Sequence, residues 1–293
     1  MIVYLNGKLI DAKEAMVSVF DHGFLYGIGL FETFRTYNRK PFLLEQHLHR
    51  LRTSCERLGI VYTLDSKSVL NMIYKLLDAN QLADAYIRLT LSAGVGELGL
   101  PNADYDQPTI VIMAKPLPAT MDNVQWAKGK ALQLLQTKRN TPEAEYRFKS
   151  LHYMNNMMAK REMRLLGVKT VPGAEGLMLS EEGYLTEGIT SNLFFAKDDT
   201  IYTPSIETGI LPGITRSFLI QELKRQGLSI ETGLYMWKDL LSADEIWLTN
   251  SIQEIIPVTL LIDDYGKQVV VSEGKAGKLT SMLKQQYEEA TGK

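Results

Sequence analysis

The sequence predicts a mixed α+β chain that folds as two α/β lobes. Its 293 residues exceed the usual length of one compact domain. Patterns typical of strands and of helices alternate irregularly, which favours an α+β or mixed α/β chain over a regular parallel βαβ series. Residues 116–122 contain Pro116 and Pro118 and show no clear period, so we predict a connection between lobes there. We expect an N-terminal lobe over residues 1–118 and a C-terminal lobe over residues 119–293.

The N-terminal lobe is predicted to begin with a hairpin. Two short apolar runs flank Asn6-Gly7, a strong signal for a type I′ turn. Leucines at positions 44, 48, 51 and 58 recur at helical spacing, and Gly59 would end that helix. The elements expected in this lobe are strands Ile2–Leu5, Lys8–Ile10, Leu30–Tyr37, Ala85–Ser92 and Thr109–Ala114, and helices Leu44–Leu58 and Ser66–Leu77.

In the C-terminal lobe, Leu151, Met154 and Met158 lie near helical spacing. They predict a helix over Lys149–Leu166, with Lys149 at its start. A hairpin over Leu177–Leu185 would turn at Glu182-Gly183. The other expected elements are strands Ala131–Gln136, Asn192–Ala196, Ile201–Thr203 and Glu245–Thr249, and helices Gly213–Gln226 and Gly274–Ala290.

Composition restricts the class of protein. Hydrophobic residues make up 45% and charged residues 23%, the ordinary globular range. A formal net charge of −2 gives no indication of a nucleic-acid partner. Cys55 is the only cysteine, which excludes an intrachain disulfide or a cysteine metal cluster and fits a reducing compartment. The N-terminus does not resemble a signal peptide, and no apolar run approaches the roughly 20 residues that span a bilayer. We therefore expect a cytoplasmic protein with no membrane partner.

Two patterns resemble known sites but lack the context that those sites need. Gly94–Gly99 matches GxGxxG, yet Leu100-Pro101 follows where a dinucleotide site requires a helix. We predict a flexible loop there instead. His47 and His49 are two residues apart and do not share a helical face. No metal site is expected.

Several short segments offer binding chemistry. Leu211–Arg216 would open a helix with backbone N–H groups directed at an anion, although an ordinary cap explains it as well. Asn250-Ser251-Ile252 follows a buried strand, where ligand contacts and plain turns are both common. Arg50 suits a bidentate phosphate contact or a solvated helix face. Lys149 and Glu187 have similarly ordinary alternatives, a surface lysine and a turn carboxylate.

The order of these segments is more specific than any one of them. Together they resemble the class IV aminotransferase family over nearly the whole chain, from about Tyr4 to about Pro257. The resemblance implies two α/β lobes with pyridoxal 5′-phosphate bound between them, a small-molecule substrate and a homodimer. The segments that carry it are Phe31–Arg35, His47–Leu51, Lys149, Leu185–Gly188 with Ser191–Phe194, Leu211–Arg216 and Asn250–Pro257.

The resemblance also implies roles for individual residues. Lys149 would be the lysine that holds the cofactor covalently, and Glu187 would bind the pyridine nitrogen and keep it protonated. Leu211 would pack on one ring face. The phosphate would be bound by Arg50, Ile214, Thr215 and Ser251, with Ile252 adding a backbone donor. One position departs from the branched-chain transaminases, which place a tyrosine where this chain has Met154. His152, Asn155 and Tyr26 are the alternative partners for the ring hydroxyl.

The family contains transaminases and a lyase that converts 4-amino-4-deoxychorismate to 4-aminobenzoate and pyruvate. Thr33, the segment Arg139–Asn156 and the segment Phe20–Gly27 resemble the lyase. Catalysis would then use Lys149 and Thr33. Tyr26, Arg88 and Arg35 are the candidate substrate contacts, although an ordinary strand arginine explains the last two as well. The alternatives are a branched-chain or D-amino-acid transaminase and a non-catalytic ligand-binding protein.

Overall fold

The computed structural model describes residues 1–118 and 122–292, so part of the predicted connection at 116–122 lies outside the described residues. The chain divides into two compact units. Unit one comprises Met1–Ala119, Phe148–His152 and Thr291–Lys293, and unit two comprises Thr120–Arg147 and Tyr153–Ala290. This division departs from the two predicted lobes at Phe148–His152 and at Thr291–Lys293, which both belong to unit one.

Unit one contains an antiparallel six-stranded sheet in the order β2-β1-β6-β5-β3-β4 and three helices. The strands are β1 (Ile2–Leu5), β2 (Lys8–Asp11), β3 (Gly29–Tyr37), β4 (Lys40–Pro41), β5 (Tyr86–Ser92) and β6 (Thr109–Lys115). The helices are α1 (His22–Tyr26), α2 (Leu44–Arg57) and α3 (Ser66–Ala79).

Local signals explain most of unit one. Asn6 and Gly7 both have positive φ, 42° and 91°, as a type I′ turn requires, so the predicted hairpin is confirmed. The leucines of α2 and the apolar residues of α3 pack with the sheet in one core, which includes Leu51, Ile73 and Ile87. Asp65 caps α3 by accepting a hydrogen bond from the Ser68 N–H at 2.8 Å.

The segment around Lys149 is extended, so the prediction that Lys149 starts a helix is wrong. The Phe31 N–H donates to Lys149 O at 2.9 Å, and the Leu151 N–H donates to Gly29 O at 3.0 Å. These bonds pair the segment with the start of β3, and the following helix begins only at Met154. Pairing with a distant strand therefore overrides the helical spacing of the local sequence.

Unit two is built on a nine-stranded sheet, most of which forms a closed ring. The path β12-β11-β10-β13-β14-β7-β8-β9 closes because β9 also pairs with β10, and β15 pairs with β14. The strands are β7 (Lys130–Leu134), β8 (Glu175–Leu179), β9 (Leu185–Gly188), β10 (Asn192–Lys197), β11 (Thr200–Pro204), β12 (Ser229–Gly233), β13 (Glu245–Asn250), β14 (Glu254–Ile262) and β15 (Gln268–Val270).

The helices of unit two are α4 (Asn123–Lys128), α5 (Met154–Leu165), α6 (Ile214–Arg225), α7 (Trp237–Leu241) and α8 (Lys278–Thr291), with 3₁₀ turns at Gly167–Lys169, Ile206–Thr208 and Ser272–Gly274. One face of the sheet packs a core that includes Leu132, Leu193 and Leu248. Among the described residues, no helix is both long and apolar enough to cross a membrane.

Helix α8 begins four residues later than predicted because a distant carboxylate caps it. Glu245 of β13 accepts hydrogen bonds from the N–H groups of Leu279 and Thr280 at 2.9 and 2.7 Å. A Cβ on Gly277 would lie 2.0 Å from Glu245 Cδ, so the carboxylate also requires glycine there. The cap thus fixes where the terminal helix starts.

We predict that Glu245→Ala lowers the free energy of unfolding by about 1–2 kcal/mol, because two helix N–H groups lose their acceptor. Urea denaturation would measure the change. Glu273→Ala is the matched control, since its pair with Lys275 is exposed and should contribute little. Equal losses in the two variants would contradict the capping role.

Candidate active site

Unit one holds Lys149 beside an aromatic ring. Lys149 Nζ lies 4.6 Å from the centroid of the Phe31 ring, and Arg88 Cζ lies 3.7 Å from the same centroid. Both cations are therefore within cation–π distance of one ring. Phe31 follows the start of β3, and its backbone hydrogen bond to Lys149 holds the two residues together.

Thr33 and Arg88 lie directly opposite each other in the pairing of β3 with β5. Because alternate residues of a strand share a face, Phe31 and Thr33 project from the same side of β3. Arg88 Nε donates to Thr90 Oγ1 at 3.1 Å. Arg35 lies farther along β3, with its Cζ 4.7 Å above the Tyr37 ring. The structure thus places Thr33 and Arg88 with the Phe31–Lys149 pair, and Arg35 beside another aromatic ring.

On the opposite face of β3, Glu32 forms a buried cluster with His47 and Arg50 of α2. Arg50 donates through Nε and Nη2 to the two carboxylate oxygens at 2.7 and 2.6 Å. His47 Nδ1 donates to Glu32 Oε2 at 2.6 Å. Burial alone would raise the pKa of Glu32, but the charges and hydrogen bonds of Arg50 and His47 outweigh it and lower the pKa to about 2. Burial lowers the pKa of His47, and Glu32 opposes this. Arg50 is therefore oriented by a charged carboxylate.

Tyr26 lies next to the Gly94–Gly99 loop. Its hydroxyl accepts a hydrogen bond from the Gly99 N–H at 2.8 Å, and His22 Nε2 donates to Glu97 O at 2.8 Å. A Cβ on Gly96 would lie 2.6 Å from His22 Nε2, so the loop packs closely on the histidine. These contacts connect the loop to α1. The next described element after the loop is the strand β6, and no helix follows it directly.

Glu187 is the central acid of unit two. Arg139 donates to its Oε1 through Nε at 2.9 Å and through Nη2 at 2.8 Å. Asn192 Nδ2 and the Leu211 N–H both donate to its Oε2 at 3.0 Å. The carboxylate is buried and is held by donors from three parts of the chain. The four hydrogen bonds therefore satisfy both oxygens of a buried side chain.

The N-terminus of α6 lies close to the loop that follows β13. Gly213 is the N-cap and has no side chain to cap the helix, and Thr215 in the first turn is buried. Thr215 Oγ1 lies 3.5 Å from Ser251 Oγ. Helix N–H groups and two neighbouring hydroxyls form a donor set suited to an anion. The structure therefore brings Thr215 and Ser251 together, next to Ile214 at the first helical position.

Ile252 lies in a turn that the Asn250 side chain closes. Its N–H donates to Asn250 Oδ1 at 2.9 Å, and the Gln253 N–H donates to the same oxygen at 2.7 Å. The asparagine side chain thus closes the turn and engages the donor that was expected to bind phosphate.

Arg139, Arg147 and Arg216 are buried residues of unit two that sequence reasoning left without a role. Arg147 Nε donates to Gly209 O at 2.6 Å, and Arg216 Nη2 donates to Pro204 O at 2.8 Å. Burial lowers the pKa of both of these guanidinium groups to about 10, and the charge of Glu187 opposes this. Arg139 and Arg147 lie in the segment Arg139–Asn156, and Arg216 lies in the segment Leu211–Arg216, so the resemblance covered all three positions without assigning a role to them.

The candidates for the ring hydroxyl differ in their contacts. Met154 begins α5 and is 75% exposed. Asn155 uses both ends of its amide, since Oδ1 accepts from Arg139 Nη1 and Nδ2 donates to Lys138 O, each at 2.8 Å. His152 Nε2 lies 3.3 Å from Tyr26 O. Of the three candidates His152, Asn155 and Tyr26, Asn155 is thus the least suited to bind the ring hydroxyl.

Comparison with known proteins identifies the family. The sequence model of Amino-transferase class IV matches residues 29–261. The chain belongs to the class IV aminotransferase family. It is 44% identical to an aminodeoxychorismate lyase of Bacillus subtilis over 98% of this chain and 93% of that protein.

Solved structures of the class IV family share the fold. One is a T.th. branched-chain amino acid aminotransferase with pyridoxamine 5′-phosphate, with a TM-score of 0.86 at 27% identity over 99% of this chain and 94% of that one. Another is 4-amino-4-deoxychorismate lyase from Pseudomonas aeruginosa, with a TM-score of 0.83 at 28% identity over 98% of both chains. The predicted family and fold class are confirmed.

Proposed function

We propose that this chain is a pyridoxal-phosphate-dependent lyase that converts 4-amino-4-deoxychorismate to 4-aminobenzoate and pyruvate. The observation that carries the proposal is its 44% identity, over nearly its full length, to a lyase of that name. Thr33, which lies on the face of β3 next to the Phe31–Lys149 pair, supports the lyase over the transaminases of the family.

The residues of each unit fit parts of the cofactor. In unit two, the buried side-chain carboxyl group of Glu187 suits a pyridine nitrogen, and the start of α6 with Thr215 and Ser251 suits a phosphate. The buried hydroxyls of Ser191 and Thr249 have no hydrogen-bond partner among the described residues, as expected where a polar ligand binds. In unit one, Lys149 supplies an amine and Arg50 a cation for the phosphate.

When bound, pyridoxal phosphate supplies an electron sink for the substrate carbon next to the amine. We propose that Lys149 Nζ accepts the proton from C4 of the substrate as a general base. The C3–O bond then breaks, and protonation of the departing enolpyruvyl group at its methylene carbon yields pyruvate. The Thr33 hydroxyl relays or positions the proton that the methylene carbon receives. Glu187 keeps the pyridine nitrogen protonated, and Arg88, Arg35 and Tyr26 are the proposed substrate contacts.

The decisive assay supplies 4-amino-4-deoxychorismate to the loaded protein without any keto acid. We expect stoichiometric pyruvate and 4-aminobenzoate, measured by a coupled dehydrogenase and by fluorescence. Amino transfer that depends on an added 2-oxo acid, with no pyruvate from the chorismate derivative, would establish the transaminase instead. Failure of the purified protein to bind pyridoxal phosphate would favour a different class of ligand-binding protein.

Thr33→Val is predicted to lower kcat of the lyase reaction by about 100-fold, because the variant keeps the shape but loses the hydroxyl that handles the proton. Thr33→Ser is the matched control and should retain most activity. Steady-state pyruvate release would measure both. A valine variant as fast as the wild type would remove Thr33 from the mechanism.

We also propose a symmetric homodimer. Its support is an apolar surface of unit one in which Met16, Phe24, Leu98 and Leu100 are 71–81% exposed. The two segments that form this surface are joined by a hydrogen bond from the Gly96 N–H to Phe20 O at 3.2 Å. Patches of this kind mark interaction sites. Sedimentation equilibrium should give twice the chain mass.

A cytoplasmic location is proposed from the single cysteine, Cys55.

A further inference from the structure

We propose that Asn192 is a positioning residue that fixes the Glu187 carboxylate relative to the N-terminus of α6. The inference rests on the proposed function, in which these two features bind the pyridine nitrogen and the phosphate of one cofactor. The distance between those two groups is set by the cofactor itself. A side chain that keeps Glu187 and the N-terminus of α6 at the matching distance would therefore control the affinity for the cofactor. It would do so without touching the reacting atoms.

The amide nitrogen of Asn192 connects two groups. Asn192 of β10 lies directly opposite Glu187 of β9. Its Nδ2 donates to Glu187 Oε2 at 3.0 Å and to Leu211 O at 2.9 Å. The Leu211 N–H donates to the same Oε2 at 3.0 Å. The three residues thus form a closed ring of hydrogen bonds that fixes the rotation of the carboxylate.

The amide oxygen of Asn192 faces the helix. A Cβ on Gly213 would lie 1.9 Å from Asn192 Oδ1, so the oxygen occupies the space beside the N-cap of α6. Only glycine fits at position 213 while the asparagine keeps this position. Because the amide group is planar and rigid, Asn192 binds Glu187 through its nitrogen while its oxygen packs against the start of α6.

A third residue extends this polar row. Thr249 of β13 lies directly opposite Asn192 on the other side. Glu187, Asn192 and Thr249 therefore project from one face of three neighbouring strands. Thr249 Oγ1 is buried and has no hydrogen-bond partner in residues 1–118 and 122–292. A buried hydroxyl of this kind indicates that a polar ligand or water binds beside Asn192.

Asn192→Asp tests the inference because it exchanges a donor for a second acid beside Glu187. Two carboxylates at about 3 Å share one proton, so the pair becomes titratable. We expect the affinity for pyridoxal phosphate to fall about 10- to 100-fold at pH 8, and to recover in part at pH 6, where the shared proton is bound. Asn192→Ala should show a similar loss without the pH dependence.

Equilibrium dialysis of the apoprotein against pyridoxal phosphate at both pH values gives the affinity, and thermal melting reports folding separately. Gln133→Glu is the matched control, since Gln133 is a buried amide of the same unit that donates to Leu134 O and Asp263 O. It should lower the melting temperature and leave the affinity unchanged. Affinities for Asn192→Asp and Asn192→Ala within twofold of the wild type, or an equal loss in Gln133→Glu, would overturn the inference. A wild type that binds no pyridoxal phosphate would instead overturn the proposed function, and the inference with it.

Discussion

Lys149→Ala is expected to lower pyruvate release by about 10⁴-fold or more. The variant loses the amine that holds the cofactor and the base that moves the C4 proton, and each loss is large by itself. The fold should survive, because Lys149 is held through its backbone oxygen by the Phe31 N–H at 2.9 Å. The loss would therefore be chemical, with an unchanged melting temperature for the apoprotein.

Three further measurements separate this role from a general effect of removing a lysine. Lys67→Ala, at an exposed position of α3 in the same unit, should keep full activity. A small primary amine such as methylamine should restore part of the rate to Lys149→Ala. Borohydride reduction of the loaded wild type followed by peptide mapping should find the pyridoxyl group on Lys149. Finding that group on another lysine, or normal turnover by the alanine variant, would refute the assignment.

Glu32→Gln is expected to lower the free energy of unfolding by about 3–5 kcal/mol, because the Arg50 guanidinium, with a side chain only 10% exposed, would lose its counter-charge. The cluster lies in unit one with His47 and Glu32 almost fully buried. Urea denaturation of the apoprotein would measure the loss. Asp78→Asn is the control, since its pair with Arg39 is exposed and should contribute less than about 1 kcal/mol. A Glu32→Gln variant as stable as this control would contradict the role.

The same cluster predicts acid sensitivity. The pKa of Glu32 is lowered from 4.5 to about 2, and the pKa of His47 is lowered from 6.5. In both cases the unfolded chain binds protons more readily than the folded one, so stability is complete above about pH 7 and falls as the pH is lowered. The His47 contribution begins to fall near its unfolded pKa, and the Glu32 contribution is lost between about pH 5 and pH 2. Between about pH 5 and pH 2, where the Glu32 contribution is lost, unfolding should depend less on pH in Glu32→Gln than in the wild type. The His47 contribution should persist in the variant, because Glu32 raises the pKa of His47.

Elements with strong local signals were predictable from the sequence. The Asn6-Gly7 hairpin and the α2 helix follow from turn chemistry and helical spacing, and both are present. The strand β14 was missed because its apolar run contains Pro257 and shows no alternation. Lys149 was placed in a helix by nearby apolar residues, whereas its backbone pairs with β3. The closure of the unit two ring through β9 and β10 is likewise a pairing that local patterns do not contain.

In the candidate site, too, some residues could be predicted from local sequence signals and others could not. The resemblance supplied Lys149, Glu187, Thr215 and Ser251 because the order of short segments is visible in a sequence. It left Arg139 and Asn192 without a role, although both lie in segments that were recognised. Their importance comes from where strands and loops meet, since Arg139 and Glu187 are 48 positions apart. Contacts between distant positions need the structure.

The pairing of β9 with β10 has a consequence for motion. These strands pair at Glu187 and Asn192, and this pairing, called the seam here, closes the ring of unit two. The seam therefore contains the carboxyl group proposed to bind the cofactor nitrogen and the amide that positions it. Local opening of the seam would break those contacts, and a ligand that binds only the closed form must make such opening rarer. Amide hydrogens of Leu185–Gly188 and Asn192–Lys197 should therefore exchange with solvent more slowly when cofactor is present. The exchange rate at one seam would then report whether the enzyme is loaded.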